Sequence, residues 1–113
     1  MSHITTHVLD VSLGRPAANV SVILEMKSPR GEWTEAARGT TDADGRLRDW
    51  AAAKALPAGI YRLTFDTRNY FAGRKVASFY PQVVIMFEVQ DAEEHYHIPL
   101  LLSPFGYSTY RGS

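Results

Sequence analysis

Apolar and polar side chains alternate along most of this chain in short runs. In residues 19–27, Val20, Val22, Leu24 and Met26 fall on one side, and Ser21, Ile23 and Glu25 on the other. A period of two is the mark of a strand with one buried face. Residues 3–11 repeat it, with Ile4, Thr6 and Val8 opposing His3, Thr5 and His7. Further strands are expected near 32–40, at 46–48, at 60–67, where Tyr61, Leu63 and Phe65 share a face, at 83–90, at 95–102 and at 106–112. In 95–102 one face carries Tyr96, Ile98, Leu100 and Leu102, and the other His95, His97, Pro99 and Leu101. His7 and His97 are therefore expected to point away from the apolar faces. The strands are separated by Gly14-Arg15-Pro16, Pro29-Arg30-Gly31, Asp42-Ala43-Asp44-Gly45, Leu56-Pro57-Ala58-Gly59 and Ser103-Pro104-Phe105-Gly106, all with turn chemistry. Residues 69–76 read as a short helix, and 51–55 as a helical turn too short to stand alone. About eight short strands with one or two short helices predict an all-β chain folded as an antiparallel β-sandwich. The aromatic residues are expected mostly at core-facing strand positions.

Composition narrows the classes of function. The 113 residues suit a single domain spanning 1–113. With 45% hydrophobic and 21% charged residues, the balance is that of a globular protein. Twelve acidic residues offset twelve basic ones, so no overall field draws in nucleic acid or an anionic membrane. The chain has no cysteine, which excludes disulfides, thiolate catalysis and cysteine-ligated metal. Residues 1–14 lack a basic segment followed by an apolar one, and no apolar run is long enough to span a bilayer. The expectation is a cytoplasmic protein without membrane or nucleic-acid partners.

Candidate chemistry is concentrated in a few positions. Imidazole titrates near neutrality, so His3, His7, His95 and His97 are the first candidates for acid, base or ligand. Four surface histidines are the bland alternative, and His-x-His on a strand is weak evidence for metal. Arg46 follows a Thr-Asp-Ala-Asp-Gly turn. It is either a solvated turn residue or a fork of donors for a planar, oxygen-rich substrate. At the C-terminus, Tyr110-Arg111-Gly112-Ser113 is either a strand that simply stops or a segment tied into a pocket. In the second case Arg111 is a cation, Gly112 permits close approach, and Ser113 offers oxygen ligands. Nucleophile-elbow, P-loop and dinucleotide motifs are all missing.

Three segments, THVLDVSLGRPA, GIYRLTFDTRNYF and HYHIPLLLSPFGYSTYRGS, together resemble the transthyretin-like (prealbumin) family, over His7 to Ser113. The terminal Tyr-Arg-Gly-Ser resembles its 5-hydroxyisourate hydrolase branch rather than its hormone carriers. The resemblance implies a sandwich of two four-stranded sheets with one short helix. It also implies a homotetramer, a dimer of dimers, with sites in a central channel. The activity implied is hydrolysis of 5-hydroxyisourate to 2-oxo-4-hydroxy-4-carboxy-5-ureidoimidazoline in urate degradation, with no metal or organic cofactor. By the same resemblance His7, Arg46, His97 and Ser113 are catalytic, and His7, Arg46, Tyr110, Arg111, Gly112 and Ser113 bind substrate. His3 and His95 are read as peripheral. The rivals are a carrier of a small aromatic ligand in the channel, a structural sandwich module, and a metal site built from the four histidines.

Overall fold

A computed structural model describes residues 3–50 and 55–113. Nine strands and one helix follow in order: β1 His3–Asp10, β2 Arg15–Pro16, β3 Ser21–Lys27, β4 Trp33–Thr40, β5 Arg46–Leu47, β6 Gly59–Phe65, α1 Thr67–Gly73, β7 Val83–Val89, β8 His95–Ser103 and β9 Gly106–Thr109. The strands form two sheets. One runs β4-β3-β6-β7; the other runs β2-β1-β8-β9, with β5 also on β1. The helical turn expected at 51–55 lies, save its last residue, outside the described residues.

The second sheet has five strands, not the four expected, but only four lanes. β5 pairs with Thr6 and His7, while β2 pairs with Leu9 and Asp10. These two stubs divide one edge of β1 between them. Arg15 and Pro16, expected in a turn, therefore join the ladder. Every pairing is antiparallel except β1 with β8, which run parallel over eight residue pairs from His3–His95 to Asp10–Leu102. The first strand and the penultimate one are thus neighbours.

The alternation read from the sequence sorts the faces correctly. Ile4, Val8, Val20, Val22, Leu24, Tyr61, Leu63, Phe65 and Leu100 are fully buried between the sheets. Burial of such apolar area, at about 25 cal/mol per Å², is the main term holding the sheets together. The Trp50 indole closes one side of the core and donates to the Ile4 carbonyl at 2.8 Å. The aromatic expectation fails in part. Phe79 and Phe105 are 70% and 69% exposed, and Tyr80, Tyr107 and Tyr110 are exposed as well. Three of these lie in loops, and Tyr107 and Tyr110 lie on or beyond an edge strand, where period-two alternation ceases to report burial.

The helix starts two residues earlier than the sequence suggests and shortens β6 accordingly. Asp66 caps it by accepting from the Asn69 amide. Its outer end is stapled to β1. The carboxylate of Asp10, buried, accepts from the Tyr70 hydroxyl at 2.7 Å and from the Arg74 guanidinium at 2.6 Å, and also bonds Ser12 and the Leu13 amide. Among the described residues, no helix is long and apolar enough to cross a membrane.

Candidate active site

The parallel pairing of β1 and β8 puts two outward-facing rows side by side. Thr5 and His7 come from β1, and His97 and Pro99 from β8, with Thr5 opposite His97 and His7 opposite Pro99. The β5 stub adds Arg46 opposite His7 on the other side. On this face lies a shallow pocket of about 470 Å³, lined by Thr5, Arg46, Arg48, Asp49, His95, His97 and Ser113. His7 flanks it through Arg46.

The 42–45 turn delivers Arg46. One Asp42 carboxylate oxygen accepts from the amides of Asp44 and Arg46, at 2.8 and 2.9 Å. Gly45 adopts φ of +75° and packs so tightly that a Cβ would sit 2.4 Å from the Val8 carbonyl oxygen. Only glycine fits there. The turn therefore lies on β1, and the Asp44 carbonyl reaches the His7 Nε2 at 2.9 Å. A carbonyl only accepts, so His7 Nε2 carries the hydrogen and Nδ1 carries the lone pair.

His97 is held on three sides. Its Nδ1 lies 2.8 Å from the Thr5 hydroxyl. Its carbonyl accepts from the Gly112 amide at 2.8 Å, closing an isolated antiparallel bridge beyond the end of β9. Its ring lies against Gly112, where a Cβ would approach Cδ2 to 2.5 Å. With Nδ1 engaged, Nε2 is the nitrogen left for a ligand.

The electrostatics favour neutral imidazoles. Burial is the first cause lowering the His97 pKa below its ordinary 6.5; the neighbouring His95, Arg46 and His7 lower it further, against a hydrogen bond to the Thr5 backbone. His7 is lowered by burial and then by Arg46, with the Asp44 carbonyl and the Asp42 and Asp44 charges opposing. Both rings are therefore uncharged at neutral pH and able to accept a proton. Arg46 supplies a permanent cation beside them. Among the described residues, no group of three or more His, Asp or Glu side chains gathers as a metal site requires.

Arg46, His97 and Ser113 meet in one pocket, with His7 beside it and Gly112 beneath His97. Tyr110 and Arg111 face elsewhere. They line an apolar hollow of about 250 Å³ with Ile85, Phe87, Tyr96 and Ile98. There Arg111 lies 4.6 Å over the Tyr96 ring and 2.9 Å from Glu94. The bridge at Gly112 puts residue 112 on the face of His97, and alternation sends Arg111 to the face of Tyr96. His95, set aside as peripheral in the sequence, lines the same pocket as His97. So do Thr5, Arg48 and Asp49, which nothing in the local pattern marks.

Residues 4–112 match the HIUase/Transthyretin family. The 5-hydroxyisourate hydrolase of Caulobacter vibrioides is 47% identical over 118 residues, spanning 100% of both chains. That of Salmonella typhimurium is 46% identical over 110 residues, 97% of this chain and 80% of that protein. Among solved structures, Klebsiella pneumoniae 5-hydroxyisourate hydrolase superposes with a TM-score of 0.87 at 39% identity over 100% of both chains. Sea bream transthyretin in complex with thyroxine does so with a TM-score of 0.90 at 34% identity, over 96% of this chain and 93% of that one. Backbone shape does not separate hydrolase from carrier, so the pocket's side chains carry the functional argument. On sequence and fold together, the chain belongs to the HIUase/Transthyretin family.

Proposed function

We propose that this protein hydrolyses 5-hydroxyisourate, opening its six-membered ring at a lactam C–N bond to give 2-oxo-4-hydroxy-4-carboxy-5-ureidoimidazoline in urate degradation. The observation that carries the reading is the pocket that brings His97 and Arg46 together with His7 beside it, in a chain similar to 5-hydroxyisourate hydrolases. Water adds to the lactam carbonyl and gives up a proton to a histidine. The tetrahedral oxyanion forms beside the Arg46 guanidinium, which is placed to stabilise it. Collapse breaks the C–N bond as a histidine returns a proton to the departing nitrogen. Of the two lone pairs, we assign the one at His97 Nε2 to the attacking water, and that at His7 Nδ1 to a substrate N–H. Ser113 binds the substrate at the pocket floor. Arg111 and Tyr110 act from the far side of the terminal segment: the contacts of Arg111 with Glu94 and Tyr96 keep Gly112 pressed against His97. The side chains described perform these steps without a metal or organic cofactor.

The pocket is open on one side, so a single chain screens substrate poorly from water. We propose that two pairs of chains assemble as a dimer of dimers that brings the open faces together. A carrier of a hydrophobic aromatic ligand would need no acid or base, whereas here His95, His97, Arg46, Arg48 and Asp49 line the pocket.

The test is a coupled ultraviolet assay in which urate oxidase generates 5-hydroxyisourate and its decay is followed. Added protein accelerates the decay. His97→Ala lowers kcat by about 10²–10⁴-fold, the usual contribution of a positioned base. Its stability changes by about 1 kcal/mol or less, because the ring lies off the core. Folded wild-type protein that leaves the decay rate unchanged overturns the assignment.

A further inference from the structure

The Thr5 hydroxyl makes two contacts of the same kind. It lies 2.8 Å from His97 Nδ1 and 3.1 Å from His95 Nε2. The two rings are successive residues of one face of β8 and lie nearly parallel, 15° apart, with centroids separated by 6.4 Å. Thr5 is buried, His97 half-buried and His95 exposed. All three groups line the pocket, and His95 is the most exposed of them.

A hydroxyl has one hydrogen to give. Held between two ring nitrogens, it donates to one and accepts an N–H from the other. Two arrangements satisfy it. In the first, His97 Nδ1–H donates to Thr5 and Thr5 donates to His95 Nε2, leaving a lone pair on His97 Nε2. In the second, His95 Nε2–H donates to Thr5 and Thr5 donates to His97 Nδ1, leaving His97 with its hydrogen on Nε2. The first His97 is a base toward the pocket and the second is an acid.

Resting on the hydrolytic reading above, we propose that Thr5 is a proton relay that moves the charge gained from the attacking water from His97 to His95 and returns it when the departing nitrogen is protonated. The balance is as follows. His97 Nε2 takes a proton from water as the oxygen bonds to the lactam carbon. The Nδ1 hydrogen of His97 passes to the Thr5 oxygen, and the Thr5 hydrogen passes to His95 Nε2. Within the relay only N–H and O–H bonds change, and one positive charge appears on His95. His97 is then neutral with a hydrogen on Nε2. As the C–N bond breaks, His97 gives that hydrogen to the departing nitrogen while the Thr5 hydrogen passes to His97 Nδ1 and the His95 Nε2 hydrogen passes to Thr5. No ring becomes anionic, and the first arrangement is restored. The second water proton stays on the new carboxyl group, which ionises at neutral pH, so hydrolysis releases one proton overall.

The surroundings explain why a relay helps. Positive charge on His97 would sit with Arg46, Arg48 and His7, with Asp49 the one carboxylate lining that pocket. Moving the charge to His95, the more exposed of the two rings, places it where water screens it better and it costs less. The direction of the His97 pKa agrees with this.

The test uses the whole protein with Thr5→Val, which keeps shape and removes the hydroxyl, and Thr5→Ser, which keeps the hydroxyl. Thr5→Val lowers kcat by about 10-fold or more, a fraction of a full base contribution, with KM little changed, and Thr5→Ser recovers most of that loss. Histidine ring ¹⁵N shifts, read without substrate, show His95 protonation switching the His97 tautomer in the wild type and independent titrations in Thr5→Val. Equal kcat in wild type and Thr5→Val, equal losses in both variants, or uncoupled wild-type titrations each overturn the relay. A coupled pair of histidines in a protein that leaves 5-hydroxyisourate untouched overturns the substrate assignment and keeps the relay.

Discussion

At Gly112 the terminal segment and the His97 ring share space that holds no extra carbon. A Cβ there would meet Cδ2 at 2.5 Å, Cγ at 3.2 Å and Pro99 Cγ at 3.3 Å. Gly112→Ala therefore turns the His97 ring or opens the bridge to its carbonyl. We expect kcat to fall by about 100-fold, on the scale of an ångström's misplacement, while thermal unfolding shifts little because the contact lies off the core. Wild-type kcat in this variant would remove the terminal segment from catalysis. The histidines set the pH response. Both His7 and His97 have pKa values lowered from 6.5, and the active form is the neutral one. Activity should hold at neutral pH and decline on acidification with a midpoint below 6.5; a kcat profile with its acid midpoint above that value contradicts the assignment. Period-two alternation alone places His7 and His97 off the core, and Asp42 to Gly45 announces the turn before Arg46. Thr5 and His95 were not legible, because their partnership depends on which strand lies beside β1. No local pattern encodes that. The face of Arg111 was not legible for a related reason: β9 ends at Thr109, and the register across the later bridge at Gly112 is set by His97.

Between β1 and α1, one carboxylate does the joining. Asp10 is buried and bonds Ser12, Leu13, Tyr70 and Arg74. Burial pushes its pKa up, but the bonds from Ser12 and Tyr70, the Arg74 charge and the Leu13 amide together outweigh it, and the net direction is down. A carboxylate lowered on folding stabilises the native state fully above its unfolded value, near 3.8, and loses that contribution as pH falls through the lower folded value. Asp10→Ala should destabilise by about 3 kcal/mol, since it strands the Tyr70 hydroxyl and the Arg74 charge. Chemical denaturation at neutral pH measures it, and the deficit relative to wild type should shrink below pH 3.8. A loss well under 1 kcal/mol would show that the helix is held by apolar packing of Phe71 alone. The sequence gives the helix but not the staple, because Asp10 and Arg74 lie 64 residues apart.

Among the described residues, several large apolar side chains stand exposed. Val84 and Met86 on β7, an edge strand, are 41% and 61% exposed, and Phe79, Phe105 and Tyr107 add to the apolar surface. Edge strands with free backbone groups and apolar side chains invite association. For the proposed dimer of dimers, sedimentation should give the mass of four chains, and Met86→Lys should shift it toward smaller species with the circular dichroism of the wild type. Single-chain sedimentation of the wild type would set the assembly aside. The sandwich and the helix after β6 could be read from the sequence; the division of one β1 edge between β2 and β5 could not, because two-residue strands leave no periodicity to detect.

The parallel pairing of β1 with β8 has a consequence for synthesis. Thr5 and His97 are separated by 92 positions, and each contributes half of one hydrogen bond. While a ribosome makes the chain, β1 emerges first and waits unpaired on that edge until β8 follows. Loop closure over such a span is slow compared with local hairpins. The chemistry is thus withheld until β8 has been made: a chain released before residue 95 carries His7, Arg46 and Thr5 but has no site. Activity in a cell extract is in this sense a readout of translation past β8.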